Sequence, residues 1–599
     1  MNLEIFTGEK VRKVAIGSAT LIALAVVAYF VVSLRTQLDI RLPSTSQYST
    51  ATVFYPSGLE ALLISDPTAT QASAALSLGV GSGLETVPGL AHFLEHLLFI
   101  SSSQFPQQDH FSVFISENGG STNAYTELEE TNFYFDVKST ALQRALEMFA
   151  SLITSPLFPA DRLSDEVKAV HSEFLNDQIS EEWRRLRLLQ LQANPKHSFS
   201  HFSAGNEETL HRTELRDLVQ EFHRKWYRGS AMKLVVLSSH PLPQLRSWVA
   251  QSFSTLPRGS VLKPPPPKPF AELNKLIIAP RQVAGETLTL YVPLPSQREL
   301  RGSLPVSFLT YLLGLETESS LAAELRARDL AYSLSAGFSA DYSDFAVLEV
   351  HMELTKRGLR HWQDCLQLYR DYVSALADLD REELKEAWDF FVDAETLKFD
   401  YLFEWEGGRS ASQVARNMQS FPRTQYLSGL QLPDQFDFPL LQSYLKGQLQ
   451  EGLLALLMST RFSPGSKFDG RELSLNEHEL YFGIDYETAE LPTAGIATQW
   501  RLNLPADLEV SVPKMALCPD CSVDPVLIEG VWFLVTPIQF DRALKQPQAS
   551  VSLLFPVAAY SLEAAIQGEL YALQLYTQLS EVLARHLLAG SSLEVSWTS

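Results

Sequence analysis

Cysteine is scarce: Cys365, Cys518 and Cys521 are the only three in 599 residues. Three sulfurs cannot build a disulfide framework, and the CPDC pair at 518–521 falls short of a four-sulfur zinc site, so it reads as a loop. Positive charge is also short, with 48 Lys+Arg against 70 Asp+Glu and a formal net charge of −22. Phosphate recognition depends on basic patches, so this balance excludes a nucleic-acid scaffold and favours peptides or small molecules as partners. Long apolar runs are absent after the first 45 residues. The one long apolar run, residues 14–34, carries no charge. At about 1.5 Å per helical residue it is long enough to cross a hydrocarbon layer of about 30 Å, which predicts one membrane span. Lys10, Arg12 and Lys13 precede it and Arg35 and Arg41 follow, so the positive-inside rule predicts a cytoplasmic N-terminus and an exported body, a single-pass membrane protein.

Apolar side chains are plentiful. They make up 45% of the chain and include 34 Phe, 20 Tyr and 9 Trp, enough for several packed cores. Alternation and turn residues predict short strands across 49–66 and 72–83, helices at 89–100 and 110–119, a hairpin over 123–139 and a helix over 141–154. One long polar helix is expected over 160–193, then a strand at 231–239 and a helix at 242–253. The run LPRGSVLKPPPPKPF at 256–270 cannot sustain a helix or a central strand and marks a boundary. Beyond it a similar order recurs: strands at 275–280 and 286–295, two helices, a hairpin over 332–354, and amphipathic helices near 359–379 and 382–394. This predicts a degenerate duplication of α+β units. The expected divisions are a tail and anchor (1–45), a first domain (46–260), a second domain (271–510), and a linker with the start of a third unit (511–599). That unit begins near Val526, with a strand in 548–560 and a helix over 561–588.

The strongest chemical signal is HFLEH at 92–96. Positions i, i+3 and i+4 share one helix face, so His92, Glu95 and His96 project together. Two imidazoles one turn apart can hold Zn²⁺ at about 2.0–2.1 Å, and the carboxylate between them can take a proton from a water that the metal acidifies to a pKa of about 7. Apolar Ala91, Phe93, Leu94, Leu97 and Leu98 surround that polar face, which would be costly to bury without a ligand. A catalytic zinc needs a third protein ligand. The downstream helix offers Glu166, His171, Glu173 and Asp177, among which Glu166 and Glu173 lie on nearly one face; spacing alone leaves the choice between these two glutamates open.

HFLEH, followed by the Glu of DEVKAVHSE, resembles the pitrilysin and insulin-degrading enzyme (insulinase) family of zinc metallopeptidases, whose motif is the inverse of HExxH. ENGGSTNAYTELEETNFYFDV (117–137) and NPKHSFSHFSAGN (194–206) resemble further signature stretches, and the similarity covers about 50–550. The resemblance implies an α+β fold of tandem homologous α/β-roll domains of the pitrilysin type, here preceded by the predicted membrane helix. It implies His92, His96 and Glu173 as zinc ligands, Glu95 as general base and Glu166 as the acid that supports a ligand. It implies Asn123 and Ala124 as the edge where a peptide backbone adds as a strand. The expected activity is hydrolysis of short unfolded peptides; the alternative is a weak or silent peptide-binding subunit, since the family's C-terminal half lies beyond this length of chain. That half, or a homologous subunit, is then an expected partner. Where the family has a glycine-rich patch that anchors substrate N-termini, this sequence reads GLETESSLAAEL (314–325), with only Gly314 near it.

Overall fold

The computed structural model describes residues 40–402, 405–492, 500, 502 and 504–505, together with five short strands between 526 and 554. The predicted span at 14–34, the CPDC pair and the helix read over 561–588 lie outside the described residues. Among the described residues no helix is long and apolar enough to cross a membrane.

The first sheet has six strands: β1 (Ser49–Phe54), β2 (Glu60–Ser65), β3 (Gln71–Leu78), β4 (Thr122–Thr126), β5 (Thr131–Lys138) and β6 (Met232–Ser238). Their order is β1-β2-β6-β3-β5-β4, with β2 and β6 parallel and the remaining pairs antiparallel. Numbering helices of at least seven residues, the first half carries α1 (Leu90–Leu98), α2 (His110–Glu117), α3 (Leu142–Thr154), α4 (Leu163–Asp177), α5 (Glu181–Leu191), α6 (Leu215–Trp226) and α7 (Leu242–Ser252). One face of the sheet, with Ala61, Leu63, Ala74 and Leu76, packs against the buried stripes of these helices other than α5, for example Leu215, Val219, Phe222 and Trp226 of α6.

A second sheet of seven strands repeats the plan. It contains β7 (Lys275–Pro280), β8 (Glu286–Pro295), β9 (Ala331–Asp341), β10 (Phe345–Leu354) and β11 (Leu454–Ser459). After a small two-stranded ribbon, β12 (Lys467–Phe468) and β13 (Arg471–Glu472), come β14 (Glu477–Glu479) and β15 (Ile484–Glu490). The order β7-β11-β8-β10-β9 reproduces β2-β6-β3-β5-β4, including the parallel first pair. Its helices are α8 (Pro305–Leu313), α9 (Leu321–Ala327), α10 (Trp362–Asp378), α11 (Arg381–Leu397), α12 (Gly407–Ser420) and α13 (Phe438–Lys446). Near the third unit foreseen at Val526 lie β16 (Val526–Ile528), β17 (Val531–Val535) and β20 (Val551–Leu554) in one antiparallel sheet, and β18 (Gln539–Asp541) paired with β19 (Gln546–Gln548).

One expected element is corrected. The long helix read over 160–193 is two helices, α4 and α5, because Ser180 adopts extended backbone (ψ 119) and the Gln178 side chain donates to the Tyr481 carbonyl at 2.5 Å. The break turns α5 so that Leu188 and Leu189 bury against the second sheet, beside Ile277, Tyr291 and Leu456.

That contact has a counterpart. The second face of the first sheet, with Leu62, Ile64, Val235 and Leu237, is covered by Ala411, Val414, Ala415 and Met418 of α12, which comes from the second half of the chain. Each half therefore lends a helix to the other's sheet. The expected outcome is that residues 46–260 expressed alone leave Leu62, Ile64, Val235 and Leu237 bare and bind a hydrophobic dye, and that residues 271–505 added as a separate chain suppress the signal and co-elute. A 46–260 fragment that melts cooperatively without dye binding would contradict this.

Candidate metal centre

The centre begins with how α1 is seated. Leu90, Ala91, Phe93, Leu94, Leu97 and Leu98 are buried, which turns His92, Glu95 and His96 toward α4. The helix start is held by Glu85, whose carboxylate accepts from the Gly89 and Ala91 amides at 2.9 Å each. Burial pushes the Glu85 carboxyl up to about 8 despite those bonds. Gly89 has φ +85, and a Cβ there would stand 2.2 Å from the Gly205 Cα, so only glycine lets the two strands of chain meet. This close approach sets the Ala204 carbonyl 2.7 Å from His92 Nδ1. A carbonyl can only accept, so Nδ1 carries the hydrogen and Nε2 is left with its lone pair for a metal.

Glu166 and Glu173 of α4 approach from the facing side. His96 Nε2 lies 3.3 Å and His92 Nε2 3.6 Å from Glu173 Oε2. His96 Nδ1 lies 3.6 Å from Glu166 Oε2, and Arg162 donates to the other Glu166 oxygen at 3.1 Å. The imidazoles meet edge to face, 4.9 Å between centroids. One ligand atom from each of His92, His96 and Glu173 falls within 4.8 Å of the other two, the group of this kind found among the described residues. The two glutamates that spacing left equivalent thus part: Glu173 faces both Nε2 atoms, and Glu166 faces the far side of one ring.

Without a metal the charges lean on one another. Burial works against a His96 imidazolium, yet hydrogen bonds to Glu166 and Glu173 outweigh it and push the ring up to about 10. The same hydrogen bonds from His96 hold both glutamates below the ordinary carboxylate range. Glu95 goes the other way: burial raises it, against the pull of His92 and of the Thr126 hydroxyl. Thr126 Oγ1 donates to Glu95 Oε2 at 2.7 Å, so this oxygen is fixed and Oε1 is left to accept.

The other sequence candidates fall nearby or outside. Asn123 and Ala124 sit on β4 at the end of the six-strand order, where the Ala124 amide donates to its neighbour's Asn123 Oδ1 at 2.8 Å; an added strand would have to displace that bond. His171 is not in the group, and its Nδ1 is buried without a partner. Three contributors were not foreseen: the Ala204 carbonyl, Thr126 and Glu85. The first is a backbone atom and leaves no side-chain signal, whereas Thr126 lies within the TELEET stretch on the strand beside α1.

Comparison with known proteins gives two family models side by side: Insulinase (Peptidase family M16) over residues 60–198, and Peptidase M16 inactive domain over residues 215–389. The chain is 29% identical to insulin-degrading enzyme-like 1, peroxisomal, of Arabidopsis thaliana, over 92% of this chain and 58% of that protein. It is 30% identical to the A-factor-processing enzyme of Saccharomyces cerevisiae, over 84% of this chain and 48% of that protein. Against the insulin-degrading enzyme of Homo sapiens it is 28% identical, over 90% and 54%. The chain spans about half the length of the curated relatives it matches. In fold it is similar to the crystal structure of pitrilysin, with a TM-score of 0.70 at 24% identity over 76% of this chain and 48% of that one.

Gly205 supplies a direct check of how the centre is held. A Cβ there, at φ +81, would meet Gly89 Cα at 3.0 Å and Leu210 Cδ1 at 3.1 Å, pushing the Ala204 carbonyl away from His92. If the group holds a metal ion, Gly205→Ala is expected to weaken its binding by about 10–100-fold, the usual cost of losing a partner that orients a ligand. Chelator competition with unchanged circular dichroism measures it, and undiminished affinity would remove Ala204 from the site.

Proposed function

The chain belongs to the M16 insulinase/pitrilysin family, and from that premise we propose that it is a zinc-dependent metalloendopeptidase acting on short, unfolded peptides. The observation that carries the reading is the convergence of two imidazole Nε2 atoms and one Glu173 oxygen, beside the half-bonded carboxylate of Glu95. Such a donor set, two nitrogens with a carboxylate, fits a zinc ion with three protein ligands and one open position. A zinc ion bound there would polarise the scissile carbonyl and acidify the attacking water.

The chain's own residues do the rest. In this reading Glu95 Oε1 takes the water's proton and later returns it to the leaving amine, while Thr126 keeps Oε2 from turning away. Glu166, itself held by Arg162, orients the His96 ring from behind. The open edge of β4 at Asn123 and Ala124 receives the peptide backbone as an added strand, a mode whose affinity comes from main-chain bonds.

A second reading keeps zinc and peptide binding but makes this length of chain a weak or silent subunit; its support is that 92% of this chain covers only 58% of the Arabidopsis relative. Residues 14–34 support a membrane anchor with the catalytic body exported, which carbonate extraction and protease accessibility would test.

Residues 46–599 are expected to bind about one zinc per chain and to cleave a quenched peptide in a chelator-sensitive way. Glu95→Gln should keep the metal and lose about 10²–10⁴ in turnover, because the amide cannot accept the proton. Full turnover in that variant would sink the general-base role, and loss of zinc would make Glu95 a ligand. Metal binding without turnover in the unaltered chain would favour the subunit reading.

A further inference from the structure

The hairpin that carries Thr126 is held from the opposite half of the chain. Its turn, Glu127–Glu130, closes through a Glu127 amide to Glu130 carbonyl bond of 2.7 Å and is pinned below by the Ser82 and Gly83 amides, at 2.9 and 2.7 Å from the Glu127 and Leu128 carbonyls. From above comes α12. Arg416 donates through both terminal nitrogens to the two Glu127 oxygens, each at 2.7 Å, and its Nε lies 3.5 Å from Glu130 Oε2. One turn earlier, the Ser412 carbonyl accepts from Asn132 Nδ2, which also donates to Glu130 Oε1 at 2.9 Å. A fork-to-fork pair is directional as well as strong, so it fixes the orientation of the Glu127 side chain and not merely its distance. Glu130 is nearly fully buried, and without the guanidinium its carboxylate would be left with neutral partners alone, the Asn132 amide and the Ser77 hydroxyl.

The residue next to Glu127 in the chain is Thr126, whose hydroxyl holds Glu95 Oε2. We propose that Arg416 is a positioning residue: from the second half it clamps the β4–β5 turn and thereby fixes the Thr126 hydroxyl against Glu95. The significance for turnover rests on Glu95 being the proton acceptor; the clamp itself does not. Glu129 is bound separately, to Arg298 at 2.5 Å and to the Ser343 amide at 3.0 Å, so removing Arg416 loosens the turn without undocking the two halves.

Hydrogen exchange on the full chain, with and without zinc, tests the clamp. In Arg416→Gln the amides of residues 123–131 should exchange about tenfold or more faster, as expected for losing charge-assisted hydrogen bonds. Those of β2 and β6 in the same sheet should be unchanged, with zinc stoichiometry intact. Arg416→Lys, which keeps the charge but loses the fork, should fall between. Unchanged exchange in 123–131, or equal acceleration in β2 and β6, would overturn the proposal. A turnover cycle adds a readout that general destabilisation would not move: in a Thr126→Val background, Arg416→Gln should cost nothing further in kcat, and fully multiplicative losses would also overturn it. If Glu95→Gln retains turnover while the exchange result holds, the general-base reading has failed and the clamp stands.

Discussion

The structure depends on an exchange of cover between two sheets. Leu62, Ile64, Val235 and Leu237 on one and Ile277, Tyr291, Leu454 and Leu456 on the other form apolar faces that their own halves leave bare. Apolar area left in water costs about 25 cal/mol per Å², so both faces have to be closed for either half to be stable. The chain closes them crosswise, with α12 on the first sheet and α5 with Phe199 and Phe202 on the second. An open cavity of about 1150 Å³ remains between the halves, reaching from Thr126 and Glu127 to Phe338 and Arg416. The polar wall of that cavity is therefore drawn from both halves by a contact whose driving force is apolar.

Within the first half, the candidate metal centre converts a packing solution into an electrostatic problem. Burying six apolar residues of α1 leaves two imidazoles and a carboxylate on the remaining arc, opposite two more carboxylates. In the absence of a cation, the proton on His96 takes that role. A ring raised to about 10 contributes stability that is fully present below its ordinary value of 6.5 and is lost as pH rises through about 10. Glu95 stands apart from this balance because its burial, not its neighbours, dominates, and it is bonded to a hydroxyl in place of a cation.

How much of this could be read in advance follows from the kind of signal each part leaves. Helix period placed His92, Glu95 and His96 on one face of 90–98, and the same arithmetic put Glu166 and Glu173 together on α4. It could not separate those two glutamates, which lie two turns apart along one stripe; which of them stands near both imidazoles is set by where α4 crosses α1. The helix break at 178–180 leaves only a short local signal, Ser180 ahead of the acidic pair Glu181 and Glu182, and the break is stabilised by Tyr481, some 300 positions away in sequence. The cover provided by α12 was missed for a related reason. GGRSASQVARNMQS is small and polar, with its apolar residues confined to the stripe Ala411, Val414, Ala415 and Met418, so it looks like a surface helix until a sheet is set against it.

The duplicated plan explains why chemistry collects on one side only. α8 follows β8 as α1 follows β3, so the two helices hold equivalent places beside equivalent strands. Yet α8 reads PVSFLTYLL, with Pro305, Val306, Phe308, Leu309, Leu312 and Leu313 buried and no imidazole or carboxylate in it. It spends the whole helix on packing, and a helix apolar nearly all round belongs inside a core. The second half instead places its charged groups at the border, where Arg298 and Arg416 reach Glu129, Glu127 and Glu130 on the β4–β5 turn. One copy of the plan thus keeps a polar arc on its first helix, and the other supplies the cations that steady the strand facing that arc.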